Sequence, residues 1–232
     1  MKIAIINYCG TVGKTTIAAH LLAPRLQGYK ILSIESINEN ASSISEAEFE
    51  QMKSGKFSKI FNEIIRQDNL ILDVGASNVE NFMNGLANFA TSYDYIDIFI
   101  VPITPETKAQ KESVATVAFL LDIGIPAEKI KIIFNRADED ANEDFKSTIN
   151  KLSKLGIKIN ANLIIAETEL FDNLGLKKMN IKQLFNQDYK QILATKEKGS
   201  KEYDNIVDLI VMQANAVSID KNLDNVFKEL GL

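Results

Sequence analysis

The feature that most constrains this chain is a glycine-containing turn between a short apolar run, Ile3–Ile6, and a helical pattern, Ile17–Leu26. The turn itself reads Asn7-Tyr8-Cys9-Gly10-Thr11-Val12-Gly13-Lys14-Thr15-Thr16. Strand, glycine turn and helix in this order predict a phosphate-binding loop, because backbone amides and the first helical turn then point at one anion. The simpler interpretation is a Gly-Lys-Thr sequence that occurs by chance at a strand–helix turn.

The residue types in this turn suit contacts to a nucleotide. Gly10 and Gly13 have no Cβ to keep an anion away from the backbone amides. Lys14 adds a charge that can reach the β- and γ-phosphates, and the Thr15 hydroxyl is placed to bind Mg²⁺. We therefore expect the nucleotide to contact Cys9, Gly10, Thr11, Val12, Gly13, Lys14, Thr15 and Thr16. The strict pattern G-x-x-x-x-G-K-[ST] requires glycine where this chain has Tyr8.

Composition limits the class of protein. The 232 residues are 46% hydrophobic and 25% charged, with a net charge of −5, which is ordinary for a globular protein. The single cysteine excludes an internal disulfide and a multi-cysteine zinc site. No apolar run approaches the roughly 20 residues of a membrane helix. We expect a cytoplasmic protein with one domain, 1–232, and no membrane contact.

Apolar runs alternate with helical patterns through residue 166. The predicted strands are Lys2–Ile6, Lys30–Glu35, Asn69–Asp73, Ile96–Val101, Lys131–Asn135 and Asn162–Ile165. The predicted helices between them are Thr15–Leu26, Ser45–Met52, Ser58–Gln67, Val79–Ala90, Glu106–Ile123 and Asn142–Leu155. Because the strand runs are almost continuously apolar, they favour a doubly wound, mostly parallel α/β sheet covered by helices on both faces.

The pattern changes after residue 166, where only helical signals remain. The predicted spans are Ile181–Lys196, Lys201–Ala216 and Asp220–Leu230. We expect these C-terminal helices, within 167–232, to pack on the sheet core, 1–166, rather than to form a separate domain.

Two predicted strands end in a carboxylate. Asp73 could hold a Mg²⁺-bound water beside Thr15, or it could simply begin the turn that follows. Glu35 could face the phosphates across Mg²⁺, because adjacent strand ends converge, or it could be a solvated strand end. We predict Lys14, Asp73 and Glu35 as catalytic residues, and Thr15 and Asp73 as the metal-binding residues.

A third strand ends in Asn135-Arg136, and these residues suit recognition of a base. The Asn135 amide offers a donor and an acceptor to a purine edge, and Arg136 could stack on the base. Asp138 could instead accept hydrogen bonds from guanine. The alternative is a turn formed by Asn and Asp.

Together these residues resemble the ParA/MinD group of deviant-Walker-A ATPases, SIMIBI-like P-loop NTPases, and within it the StbB-like plasmid stability and partition proteins. The stretch Ile6–Thr16 is similar to the group's signature A-N-Q-K-G-G-V-G-K-T-T, which also lacks the first glycine. Further positional matches are Lys30–Asn38, Leu70–Asp73, Val101-Pro102 with Pro105, and Asn135-Arg136. The resemblance covers Met1 to Arg136.

The resemblance implies an ATP-dependent switch in plasmid partition. It implies ATP and Mg²⁺ as cofactors, a homodimer that sandwiches two nucleotides, and slow hydrolysis stimulated by a DNA-binding partition partner. Lys14 would bind phosphate, Thr15 Mg²⁺, Asp73 the metal through water, and Asn135 adenine. GTP remains open.

The chain departs from the family pattern at three positions. Cys9 replaces the signature lysine, Thr11 replaces the second glycine of a pair, and Ile37 replaces one carboxylate of a D-x-D motif, for which Glu39 could substitute. We therefore expect weak basal ATPase activity. Cys9 is interpreted either as a small residue chosen for fit or as a reactive thiol.

The segment Lys177–Lys201 is basic in an acidic chain. It contains seven lysines and two acidic residues, a local charge of +5. Because such a surface can bind phosphates without reading bases, non-specific DNA contact is one hypothesis, and a solvated lysine surface is the other. Two alternatives to a partition ATPase stay open: a metabolic ATP-dependent ligase of the dethiobiotin synthetase type, and a non-hydrolysing nucleotide-dependent scaffold.

Overall fold

The computed structural model describes residues 1–35, 49–53, 57–137 and 141–232. Within them, seven strands form one sheet in which every pair is parallel, in the order β3-β2-β4-β1-β5-β6-β7. The strands are β1 Lys2–Ile5, β2 Lys30–Glu35, β3 Phe49–Lys53, β4 Leu70–Val74, β5 Ile98–Ile103, β6 Ile130–Ala137 and β7 Ile164–Ala166. The direction of the strand order changes at β1, so the loop after β1 lies at a topological switch point.

Helices connect the strands and continue beyond the last one. They are α1 Lys14–Thr16, α2 Phe57–Arg66, α3 Ala76–Asn88, α4 Thr107–Asp122, α5 Ala141–Lys154, α6 Leu170–Leu176, α7 Ile181–Phe185, α8 Tyr189–Leu193 and α9 Lys201–Leu230. A π-helical segment, Ile17–Leu22, continues α1, and short 3-10 turns lie at Ser92–Tyr95 and Ala127–Lys129. No helix in the part of the chain described above is long and apolar enough to cross a membrane.

The sheet separates two apolar cores, which explains its continuous apolar strands. Ala4 and Leu72 belong to the core on one face, together with side chains of α2 to α5. Ile3 and Ile71 belong to the core on the other face, together with side chains of the π-helical segment and of α6 to α9. Because alternate residues of each strand enter different cores, both sets must be apolar.

All six strands predicted from the sequence are present, with ends shifted by a few residues. The predicted helix Ser45–Met52 is wrong where it can be compared, because Phe49–Lys53 forms β3 and pairs with Ile31–Glu35 of β2. That pairing is a tertiary contact, which local periodicity does not reveal. Residues 45–48 lie outside the described part of the chain.

The predicted helix boundaries need three further corrections. The predicted helix Thr15–Leu26 ends at Leu22. Its second part, Ile17–Leu22, is π-helical, and Ala23 N donates to Ala18 O, five residues back, at 3.0 Å. Lys201–Ala216 and Asp220–Leu230 form one helix, α9, since the intervening residues contain no glycine or proline and Ile219 is buried.

The third correction concerns the predicted helix Ile181–Lys196, which is two short helices. Asn180 caps α7 by accepting from Gln183 N at 2.8 Å, and Asp188 caps α8 by accepting from Gln191 N at 3.1 Å. A second cap inside the predicted span starts a new helix there. Helix α6 was not predicted.

Candidate functional site

The glycine turn forms the loop between β1 and α1. Gly13 precedes α1 with φ +83°, a left-handed conformation that favours glycine. A Cβ at this position would also overlap Asn135 Nδ2, so two independent reasons require glycine. Among the described residues, a Cβ at Gly10 would meet only Ala76 Cβ, at an ordinary 3.6 Å. Contacts within the chain therefore require Gly13 but not Gly10, whose role depends on the ligand.

Lys14 is buried and lies against the loop it follows. Its Nζ donates to Cys9 O at 2.7 Å and to Asn7 O at 3.1 Å. Burial lowers the pKa of Lys14 to about 8, although the negative charge of Asp73 acts in the opposite direction. The ammonium group is thus held inside the loop, where an anion bound by the loop amides would meet it.

Thr15 and Asp73 are in direct contact beside Lys14. The Thr15 hydroxyl donates to Asp73 Oδ2 at 2.7 Å. Asp73 is 1% exposed, and burial raises the pKa of its carboxyl group, opposed by the Thr15 hydrogen bond and by Lys14. The other carboxylate oxygen, Asp73 Oδ1, has no hydrogen-bond partner among the described residues.

This donor set fits Mg²⁺. A hydroxyl oxygen and a buried carboxylate are the hard ligands that Mg²⁺ prefers, and the metal usually completes its shell with waters and substrate phosphates. A cation near Asp73 would also give Oδ1 the partner that it lacks within the described chain. The described residues contain no cluster of three or more His, Cys, Asp or Glu that could hold a metal by themselves. At Thr15 and Asp73, waters and the phosphates of a bound nucleotide would supply the other ligands of the metal.

A network of side-chain hydrogen bonds fixes the loop to α4, and sequence reasoning missed it. Asn7 Nδ2 donates to Pro102 O and to Ser113 Oγ, both at 2.7 Å. Cys9 N donates to Asn7 Oδ1 at 2.8 Å, and Tyr8 N donates to Thr116 Oγ1 at 3.1 Å. The only signal in the sequence was the pair of hydroxyl residues three positions apart on the predicted helix.

Cys9 behaves as a packing residue. It is 6% exposed and forms a small buried cluster with Val12 and Ala109 of α4. Its Sγ lies 4.0 Å from Thr11 Oγ1. A buried side chain favours the interpretation of Cys9 as a small residue chosen for fit over that of an exposed reactive thiol. Gly10 and Thr11, by contrast, are exposed at the tip of the loop.

Asn135 and Arg136 lie at a β-bulge in β6. The pairing of β6 with β7 shifts register between Asn135 and Ala137, and Arg136 takes φ +53°. Asn135 is buried, and its Nδ2 donates to Val12 O at 2.9 Å, so it braces the glycine loop. Recognition of a base by Asn135 stays a prediction. Asp138 lies outside the described residues.

A cavity of about 340 Å³ opens beside the bulge. It is lined by Thr16, Asn135, Arg136, Ala166, Glu167, Thr168, Glu169, Phe171 and Asp172. The wall formed by residues 166–172 was not predicted as part of the site. A larger cavity, about 670 Å³, lies between β7 and α9 and contains none of the predicted site residues. We include the smaller cavity in the candidate site, because Thr16 of the loop and Asn135 line it.

Two predictions cannot be compared with the structure. Glu35 ends β2, but its side chain lies outside the description. Ile37 and Glu39, the positions of the missing and substitute carboxylates, fall within residues 36–48, which are also outside it.

The basic segment Lys177–Lys201 spans α7, α8 and the start of α9. Lys196 Nζ pairs with Glu202 Oε2 at 2.7 Å, and Lys177 Nζ donates to Asn205 Oδ1 at 2.8 Å. The other five lysines, Lys178, Lys182, Lys190, Lys198 and Lys201, are exposed. The surface stays basic, although two of its lysines make contacts within the chain.

No family model and no curated protein sequence matches the chain. Solved structures do match it. Cyanothece McdA, in a complex with ATP, is 13% identical with a TM-score of 0.55, and the match covers 100% of this chain and 96% of that one. MinD from Pyrococcus horikoshii, complexed with Mg-ADP, is 14% identical with a TM-score of 0.51, covering 90% and 93%.

A ParA family ATPase from Chlorobium tepidum is 17% identical with a TM-score of 0.50, and the match covers 89% of this chain and 96% of that one. The chain has the fold of the ParA and MinD ATPases. At these identities the similarity concerns the fold, and the roles of individual residues must be argued from the site. The predicted α/β class and parallel sheet are confirmed.

Proposed function

We propose that this protein is a ParA/MinD-type ATPase that binds ATP and Mg²⁺ at the loop after β1. The observation that carries the proposal is the contact of Thr15 with a buried Asp73 next to the buried Lys14. Three polar groups of these types, at the switch point of a parallel sheet, are the parts of a P-loop site. ATP is preferred over GTP from the resemblance to ParA and MinD.

In this proposal, the roles of Lys14, Thr15, Asp73 and Asn7 follow from their present contacts. Lys14 would exchange its two backbone carbonyl partners for phosphate oxygens, and Thr15 and Asp73 would hold the metal. Bound Mg²⁺ would neutralise charge on the phosphates. Asn7 would keep the loop amides in place through its three hydrogen bonds, and Glu35 is proposed to assist from the neighbouring strand.

We further propose that the protein is a switch in plasmid partition or stability in the cytoplasm. ATP would drive homodimer formation, and a DNA-binding partition partner would stimulate hydrolysis that is slow without it. The burial of Cys9 supports slow basal hydrolysis, because a short buried side chain cannot replace a lysine that reaches across a dimer. The exposed lysines between Lys177 and Lys201 support non-specific DNA contact.

The proposal is tested by calorimetric titration of ATP and GTP with Mg²⁺ into the wild type and Lys14→Ala. Because Lys14 would make charged hydrogen bonds to phosphate, we expect its loss to weaken ATP binding by tenfold to about a hundredfold. The control is Lys154→Ala, which removes an exposed lysine at the end of α5. Equal affinity in the wild type and Lys14→Ala would contradict the proposal. A requirement for a small organic acceptor would favour a metabolic ligase.

A further inference from the structure

A second polar residue lies beside Asp73 in the sheet. Ser33 of β2 pairs in register with Asp73 of β4. Alternation along the strands puts both on the face that carries Ile31 and Ile71, which is the face covered by the π-helical segment after α1. Ser33 is 0% exposed and Asp73 is 1% exposed. A hydroxyl and a carboxylate are therefore buried side by side under the P-loop helix.

Both residues keep an oxygen without a hydrogen bond. Ser33 Oγ and Asp73 Oδ1 have no partner in the described part of the chain. A buried hydroxyl without a partner destabilises the fold, and a buried carboxylate oxygen without one does so more strongly. Buried polar atoms in native proteins almost always have a partner, which can be ordered water or an ion. Two such atoms on neighbouring strands indicate one shared ligand.

We propose that Ser33 Oγ and Asp73 Oδ1 together hold one water molecule of the Mg²⁺ shell. Ser33 and Asp73 are in register on neighbouring strands, which lie about 4.8 Å apart, so one water between the two side chains is within hydrogen-bond reach of both. Mg²⁺ loses its waters reluctantly, so protein groups often bind it through them. The inference rests on the proposed function, because it needs a metal at Thr15 and Asp73. It makes Ser33 a positioning residue.

The competing explanation is that Ser33 is only a small residue that fits under the helix. The two explanations differ in what Ser33→Ala does without ligand. Removing an oxygen that has no partner within the described chain should leave the free energy of unfolding of the ligand-free protein unchanged or higher. Removing a group that holds a metal-bound water should weaken Mg²⁺-dependent binding.

The experiment measures two quantities for the wild type and Ser33→Ala. The first is the free energy of unfolding in urea without nucleotide. The second is the ratio of the Kd of a non-hydrolysable ATP analogue in EDTA to its Kd in saturating Mg²⁺. We expect Ser33→Ala to lower this ratio by threefold to about tenfold, while ligand-free stability does not fall.

The matched control is Ser92→Ala. Ser92 is also 0% exposed, but its Oγ donates to Leu86 O at 3.3 Å, on a segment that precedes β5. Its loss should lower ligand-free stability and leave the Mg²⁺ ratio unchanged, the reverse of the result for Ser33→Ala. An unchanged ratio in Ser33→Ala would overturn the inference alone. If Mg²⁺ has no effect on the wild type, the proposed function fails and the inference fails with it.

Discussion

His20, the single histidine of the chain, links the stability of this fold to pH. It lies in the π-helical segment, is 3% exposed, and packs on Phe171 with ring centroids 5.1 Å apart. Its Nδ1 has no partner among the described residues. Burial lowers the pKa of His20 from 6.5 to about 4, so the folded protein keeps this imidazole neutral at neutral pH.

Because His20 is buried as a neutral imidazole, we expect the protein to lose stability in mild acid. Between pH 6.5 and about pH 4 the unfolded chain binds a proton at His20 and the folded chain does not, so stability falls as the pH falls through this window. We expect a contribution of about 3 kcal/mol over the whole window. His20→Phe keeps an aromatic ring against Phe171 and removes the titration.

The test compares the free energies of unfolding of the wild type and His20→Phe at pH 7 and at pH 4. As the pH falls, the free energy of unfolding of His20→Phe should rise relative to that of the wild type. A difference that stays constant would show that His20 does not titrate as proposed. Because the chain has one histidine, its imidazole signals in an NMR titration also give the pKa directly.

Among individual residues, the sequence predicts those whose role follows from their neighbours along the chain. Lys14 and Thr15 follow one turn, and Asp73 ends an apolar run, so their positions could be inferred before the structure was known. Asn7, Ser33 and Ser113 could not be assigned, because their significance depends on which atoms the fold places next to them. The sequence of a strand does not show whether a serine within it will have a hydrogen-bond partner in the fold.

Among the elements, α9 is joined through Arg25 to the end of the helix that follows the loop after β1. Arg25 follows the π-helical segment, and its Nη1 donates to His20 O at 2.9 Å. Its Nη2 and Nε donate to Asp220 Oδ1 at 2.7 Å and to Asp224 Oδ1 at 2.8 Å, both on α9. The Arg25 side chain is 11% exposed. The planar guanidinium thus links a helix end to two carboxylates, which lysine could not do.

Removing the contacts of Arg25 should lower the stability of the protein measurably. We expect Arg25→Ala to lower the free energy of unfolding by about 1–2 kcal/mol, mainly through the partly buried contact with His20 O, since the two aspartates are partly exposed and their ion pairs are screened. Arg66→Ala is the control. It removes an ion pair with Glu63 from an arginine side chain that is 71% exposed, and it should change stability by no more than about 0.5 kcal/mol.

Urea unfolding of the two variants decides between these expectations. Equal losses in Arg25→Ala and Arg66→Ala would mean that the contacts of Arg25 with α9 contribute no more to stability than a surface ion pair.

The elements also show where local patterns stop being informative. Strands buried on both faces were predicted correctly, because their apolar runs reflect the two cores. Strand β3 was missed because it forms by pairing with β2, and α9 was divided because nothing local shows that Ile219 continues its buried face. Caps at Asn180 and Asp188 were present in the sequence but were not recognised as the starts of α7 and α8.

In the whole molecule, side-chain hydrogen bonds connect the candidate site to helices α4 and α9. The loop after β1 is bonded to α4 through Asn7, Ser113 and Thr116, and the helix that follows it is bonded to α9 through Arg25. These contacts reach both faces of the sheet. A nucleotide that changed the loop would therefore act on elements that lie on both faces of the sheet.

ATP is proposed to change the oligomeric state of the protein, and light scattering measures that state without a label or a partner. The molar mass is measured without nucleotide, with ADP, and with ATP and Mg²⁺, for the wild type and Lys14→Ala. We predict a monomer that becomes a dimer only with ATP and Mg²⁺, and no change in Lys14→Ala. The same mass under all conditions, in a protein that still binds the nucleotide, would contradict the switch. It would favour a metabolic ligase or a non-hydrolysing scaffold.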